Sequence, residues 1–158
     1  MKATPLLTGW TCRHLGDTAP GRPVTLPHDA MLAEPRSALS AGGVNTGWYE
    51  GYDYEYQRTL TVAENELSDT HILEFEGVYH NAEVWLNGQK AAFRPYGYTN
   101  FYVDTEGFFQ YGKENEIKVI ARNADQPNSR WYSGTGIYRP VYLWTGDQKY
   151  IPVNGIKI

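Results

Sequence analysis

Residues 52 to 62 read Tyr52-Asp53-Tyr54-Glu55-Tyr56-Gln57-Arg58-Thr59-Leu60-Thr61-Val62. Rings and long or branched stems occupy the even positions, and only polar side chains occupy the odd ones. A period of two is that of an extended chain with one face packed and the other in water. The alternation recurs downstream. In His71 to Val78, Leu73 and Phe75 oppose Glu74 and Glu76. Ala82-Glu83-Val84-Trp85-Leu86 runs into Asn87-Gly88, the residue pair that suits the positive φ angles of a type I′ hairpin turn. Tyr98 to Val103 and Glu116 to Arg122 are further aromatic or β-branched stretches, and Ile137 to Trp144 is another. The last of these contains Pro140, which lacks a ladder donor and so predicts an edge position or a bulge.

Helix signals are scarce. Thr105 to Tyr111 is read as one turn, capped by Asp104 or Thr105 and stopped at Gly112, and Ala63 to Leu67 as another. Many strands and almost no helix predict an all-β chain folded as a β-sandwich or jelly roll. The 13 Tyr, 5 Trp and 5 Phe suit that architecture, since broad rings fill the space between sheets ~10 Å apart. The first 45 residues carry Pro5, Pro20, Pro23, Pro27 and Pro35 with little alternation, so residues 1–45 are expected to wrap the sandwich in extended form. Residues 1–149 then make one domain. Residues 150–158 read as a linker with a turn at Pro152-Val153-Asn154-Gly155, and Ile151 to Ile158 as the start of one more strand, so the chain reads as cut short.

A length of 158 residues fits one domain, and 41% hydrophobic residues are enough for one core. The net charge of −4 supplies no field to hold phosphates, which argues against nucleic acid or an anionic membrane as partner. A single cysteine, Cys12, excludes an internal disulfide and a Cys-rich zinc site. No run approaches the ~18 apolar residues of a membrane span. Met1 to Arg13 lack the basic-then-apolar layout of a signal peptide, and a cytoplasmic location is expected.

Glycosidic hydrolysis with retention needs two carboxylates ~5 Å apart across one bond. No local pattern here singles out such a pair: Glu74 with Glu76, and Asp53 with Glu55, read as solvated strand faces. His14, His28, His71 and His80 show no metal-ligand spacing. Ser133, in Tyr-Ser-Gly-Thr-Gly, sits in no nucleophile elbow, and those glycines open no phosphate-binding helix. No catalytic residue, metal or cofactor is expected. His28-Asp29 is read as a structural pair that fixes the wrapping segment through backbone hydrogen bonds. Arg139, flanked by apolar strand residues, is read as a charge that needs a carboxylate partner.

The polar stretch Asn123-Ala124-Asp125-Gln126-Pro127-Asn128-Ser129-Arg130-Trp131-Tyr132-Ser133-Gly134 is more informative. Sugars present hydroxyls to amides and carboxylates, and C–H faces to flat rings. Asn123, Asp125, Trp131 and Tyr132 are therefore candidate sugar contacts. The plainer alternative makes Trp131 and Tyr132 core anchors and Arg130 a bridge between loops.

Seven segments in one order resemble the N-terminal sugar-binding domain of glycoside hydrolase family 2, the β-galactosidase, β-glucuronidase and β-mannosidase family. They are Val24-Thr25-Leu26-Pro27-His28-Asp29, Gly47-Trp48-Tyr49, Phe75-Glu76-Gly77-Val78, Ala82 to Gly88, Tyr96-Gly97-Tyr98-Thr99, Gly112 to Ile117 and Arg130 to Arg139. The resemblance implies a jelly-roll, galactose-binding-domain-like β-sandwich followed by an immunoglobulin-like domain and a TIM barrel. In the family both catalytic glutamates sit on that barrel, so this chain is expected to be inactive alone. It is expected to lend loop residues to a sugar pocket, with Asn45 the contact implied in the first loop and Asn123 in the second. Many relatives carry Asp-Asn where Arg122-Asn123 stand here, so Arg122 replaces an acid, and either Asp125 takes over its role or the galactose contact is absent.

The expected function is thus that of a non-catalytic domain of a retaining glycosidase of β-galactosidase type, with weak sugar affinity of its own. Its expected partners are carbohydrate and the immunoglobulin-like and barrel domains that follow. A free-standing carbohydrate-binding module and a purely structural domain of a β-glucuronidase or β-mannosidase are the alternatives.

Overall fold

The alternating stretch folds as a strand, Tyr54–Thr61, whose Tyr54 and Tyr56 are fully buried. The computed structural model describes residues 1–151 and 155–156. Its strands, in chain order, are β1 (Lys2–Pro5), β2 (Trp10–His14), β3 (Arg22–Val24), β4 (Tyr54–Thr61), β5 (Thr70–Phe75), β6 (Ala82–Leu86), β7 (Gln89–Arg94), β8 (Phe101–Asp104), β9 (Glu114–Ala121) and β10 (Val141–Gly146). They form two antiparallel sheets, β1-β10-β5-β8 and β3-β2-β4-β9-β6-β7, packed face to face as the all-β reading predicts. Trp10, Tyr54, Tyr56, Val84, Leu86, Ile117 and Val119 from the larger sheet meet Leu73, Phe75, Val103 and Val141 from the smaller one. Phe75 stacks on Phe101 with ring centroids 5.1 Å apart.

Registry gathers the long connections at one end. Tyr54 pairs with Ala121, Ala82 with Arg94, and Phe75 with both Phe101 and Val141. Residues 76–81, 95–100 and 122–140 therefore all leave and enter the sheets at the same rim. Residues 25–53 arrive there too, after running the length of the sandwich from β3. The Asn87-Gly88 hairpin, with φ of 49° and 78°, turns at the opposite end as expected.

Several expectations need correction. The first 45 residues are not a uniform extended wrap: they supply β1, β2 and β3, and wrapping falls to residues 25–53, which include two short 3-10 turns, Ala30–Ala33 and Gly43–Thr46. Strand pairing prevailed because Trp10 and Cys12 alternate inward beside Tyr56. The expected turn at Ala63 to Leu67 is a 3-10 turn, Glu64–Glu66. At Thr105 one turn forms, its carbonyl accepting from Phe108 and Phe109 N–H while the Asp104 carboxylate caps Glu106 N–H. Pro140 marks neither an edge nor a bulge. It stands just before β10, which lies between β1 and β5, and its carbonyl accepts from Glu76 N–H. The proline-bearing edge strands are β1 and β3, where a missing donor faces no ladder partner. The expected turn at Pro152-Val153-Asn154-Gly155 and the strand beginning there fall largely outside the described residues.

Glu74 and Glu55 point outward but are not solvated; both are buried. Glu74 accepts from Tyr102 Oη (2.7 Å), Asn100 Nδ2 (3.1 Å) and Trp144 Nε1 (2.7 Å), while Glu55 pairs with Arg13. Burial raises the Glu74 carboxyl, but those three donors together bring it below its ordinary value, and burial with the Glu74 charge pushes Tyr102 up to about 12. A carboxyl held below its unfolded value stabilises the fold fully above the ordinary carboxylate range, and that contribution is lost as pH falls through the depressed value. Glu74→Gln is therefore expected to flatten the acid limb of the stability–pH curve, measured by urea unfolding. An unchanged acid limb contradicts this.

Candidate functional site

Asn123 stands two residues past Ala121, where β9 ends, and is only 1% exposed. Its amide donates to Gly134 O (3.0 Å) and Thr135 Oγ1 (2.6 Å), and its oxygen accepts from Gln126 Nε2 (2.8 Å) and Asn128 Nδ2 (2.6 Å). The side chain thus closes residues 123–135 into a loop and faces inward. Asp53 secures the loop from the β4 side: its Oδ1 accepts from Asn123 and Ala124 N–H, and its Oδ2 lies 3.2 Å from Arg122. Asp53 is thus engaged, not a free solvated acid. Arg122 also donates to Glu83 (2.8 Å), and this bond is the main cause that raises its guanidinium further above its ordinary value. Its position is a clamp between two carboxylates.

Trp131 and Tyr132 crown the loop, 60% and 40% exposed, so neither is a core anchor. They diverge. Tyr132 turns back to the wrapping segment, donating to Asp29 Oδ2 (2.5 Å), its ring 6.1 Å from that of Tyr49. Burial, the Asp29 hydrogen bond and the Asp29 charge all push its phenol far up, so it remains a donor. Asp29 also accepts from Thr135 and Met31 N–H, which bears out its structural reading. His28 contributes through its ring, Nδ1 lying 2.8 Å from Tyr56 Oη. Trp131 points the other way, donating from Nε1 to Tyr98 Oη (3.0 Å).

Asn45 lies half-buried in the 3-10 turn Gly43–Thr46, and its side chain makes no hydrogen bond among the described residues. Its loop does reach the second one: a Cβ at Gly47 would lie 3.9 Å from the Tyr132 ring. The next residue, Trp48, is held at φ 70° by Trp48 N–H donating to Gly43 O and Ser37 N–H donating to Trp48 O. Asp125 is exposed, and its carboxylate likewise has no partner among the described residues. The structure therefore brings Tyr132 to the Asn45 loop, leaves Asp125 at the loop surface, and buries Asn123 beneath both. Arg130 bridges nothing among the described residues. Arg139 is exposed, its guanidinium 5.3 Å above the Tyr138 ring rather than against a carboxylate.

Residue-by-residue reading missed Tyr96 and Tyr98, exposed rings beside Trp131, and the clamp of Asp53, Arg122 and Glu83. The aromatic-Gly-aromatic spacing of Tyr96-Gly97-Tyr98 was the available signal. The rim offers stacking faces, the Asn45 amide and, in Asp125, a carboxylate without a partner among the described residues, which is the chemistry of polar-ligand binding. Among the described residues no group of three or more His, Cys, Asp or Glu could hold a metal ion, and no helix is long and apolar enough to cross a membrane.

The family described as glycosyl hydrolase 2 galactose-binding domain-like matches residues 22–150. The chain is 39% identical over 140 residues to the β-galactosidase BoGH2A of Bacteroides ovatus, covering 82% of this chain and 16% of that protein. It is 29% identical over 141 residues to a β-glucuronidase of Bacteroides fragilis, covering 86% of this chain and 19% of that protein. A β-glycosidase from Bacteroides vulgatus superposes with a TM-score of 0.88 at 31% identity, over 97% of this chain and 21% of its own. The chain thus spans about a fifth of the length of these relatives, or less. With sequence and fold agreeing over nearly all of its residues, the chain belongs to glycoside hydrolase family 2, as a galactose-binding domain-like N-terminal domain.

Proposed function

We propose that this domain serves a retaining family 2 glycosidase of β-galactosidase type as a non-catalytic wall of its sugar pocket, the two catalytic glutamates being carried by a barrel domain. The observation that carries the reading is the joining of two loops at one rim, with Tyr132 held by Asp29 against Tyr49 while its ring stays 40% exposed. A ring fixed in place from behind, its one hydroxyl proton given to Asp29, loses little freedom when a sugar docks on its exposed face. Asp125, exposed and without a partner among the described residues, is the acid available to sugar hydroxyls. Arg122, tied to Glu83 and Asp53, is not, so the galactose contact passes to Asp125.

The test is to read the coding sequence beyond Ile158 and assay the whole product. A frame that continues into a barrel with two carboxylates ~5 Å apart supports the reading. In that longer protein Asp125→Ala is expected to raise KM for a nitrophenyl β-galactoside about tenfold, with kcat little changed. A stop codon directly after Ile158, or hydrolysis by the 158 residues alone, overturns it.

A further inference from the structure

The pocket reading leaves half of the rim unused. Tyr96, Tyr98 and Trp131 lie on the side away from Tyr132 and are 57%, 37% and 60% exposed. They are contiguous: the Tyr96 and Tyr98 centroids are 5.7 Å apart, and Trp131 Nε1 donates to Tyr98 Oη at 3.0 Å. They are also supported from behind. The buried Tyr79 ring packs 5.2 Å from Tyr98, and its hydroxyl reaches Asn128 Oδ1. Tyr138 Oη donates to Gly97 O at 2.7 Å, between the two tyrosines. The loop is pressed so closely that a Cβ on Gly97 would fall 2.6 Å from the Tyr79 ring.

Resting on the reading that this rim meets carbohydrate, we infer that Tyr96, Tyr98 and Trp131 form an extended second site for a soluble oligosaccharide chain, with one pyranose over each ring. Pyranose C–H faces stack on aromatic rings, while ring hydroxyls need polar partners at the edge. Arg130, exposed on the loop that carries Trp131 and without a partner among the described residues, supplies a guanidinium. The Ser129 hydroxyl, its proton given to the Trp131 carbonyl, keeps a lone pair that can accept. The planes of Tyr96 and Tyr98 are inclined at 64°, so the surface accepts a twisted chain in solution and not the flat face of a crystalline polysaccharide. Rings already held in place lose little conformational entropy on binding. The site lies beside the Tyr132 side of the rim, where it would hold the part of a long glycan that the pocket does not enclose.

The test is calorimetric titration of the 158-residue chain with β-linked galacto-, gluco- and xylo-oligosaccharides, from mono- to tetrasaccharide, with crystalline cellulose as the insoluble comparison. For at least one series Kd is expected to fall about tenfold from mono- to trisaccharide and then level off. Trp131→Ala and Tyr96→Ala, both exposed positions, are each expected to weaken the trisaccharide about tenfold with thermal stability unchanged. Affinity without length dependence, unaltered affinity in both variants, or retention on crystalline cellulose overturns the inference. So does absence of saccharide binding with the same rings protected from hydroxyl radicals only by neighbouring protein in the longer chain. The two readings fail separately. A frame that stops at Ile158 while length-dependent binding persists removes the glycosidase reading alone; a frame that runs into a barrel while length dependence is absent removes this one alone.

Discussion

Gly136→Ala is expected to leave almost no folded protein. Gly136 sits at φ 125°, a conformation that side chains rarely adopt, and a Cβ there would fall 2.0 Å from Tyr56 Oη and 3.1 Å from the His28 carbonyl. Neither neighbour can retreat. Tyr56 is wholly buried inside the larger sheet with its hydroxyl on His28 Nδ1, and the His28 backbone is pinned by its N–H on Ile137 O. Gly136 also exchanges both backbone hydrogen bonds with Tyr79, at 2.9 Å each, so moving it loosens the support beneath Tyr98. Overpacking together with a forced dihedral places the loss above ~4 kcal/mol, among the larger single-residue effects. Soluble yield and the urea midpoint report it. Adding Tyr56→Phe removes the atom that is struck and is expected to recover part of the loss. A single variant that unfolds near the parent midpoint refutes the argument.

Asn123→Ala comes next in size. It removes two donors and one acceptor from a buried site and leaves Gly134 O and Thr135 Oγ1 without their partner. Unsatisfied buried groups of this kind predict a loss of about 3 kcal/mol. Asn123→Asp keeps the shape but sets a carboxylate oxygen against the Gly134 carbonyl, and it is expected to be no milder. Asn128→Ala, whose side chain is exposed, is expected to lose about 1 kcal/mol or less. Urea unfolding ranks the three. In Asn123→Ala the saccharide affinity of the rim should fall too, because the loop that presents Trp131 and Tyr132 loses its closure. Stability within experimental error of the parent contradicts the inward role.

How far the chain could be read from its letters differs from place to place. The core strands were legible wherever one face is apolar, as in Tyr54–Thr61, because period-two burial is written into adjacent residues. β1 and β3 were not. Each is short, carries a proline and forms an edge, so its membership rests on partners far away in sequence, such as Thr145 for Lys2. Glu74 misled for a related reason: its donors come from β8, β10 and the loop before β8, and no local pattern announces them. At the rim, composition singled out the loop from Asn123 to Gly134, which the structure places at the end of the sandwich. It could not tell an amide facing solvent from one facing in, since that depends on acceptors eleven and twelve residues onward. Tyr96 and Tyr98 acquire meaning only when registry sets their loop beside Trp131.

Lys2–Pro5 pairs with Val141–Gly146, so the first of these ten strands waits for the tenth. Contacts this distant in sequence are slow to form, because closing so large a loop takes entropy before it returns any stabilisation. During synthesis β1 has no partner, and β5 keeps an open edge, until β10 emerges to lie between them. Nascent chains caught in that interval are the ones most exposed to mispairing with their neighbours.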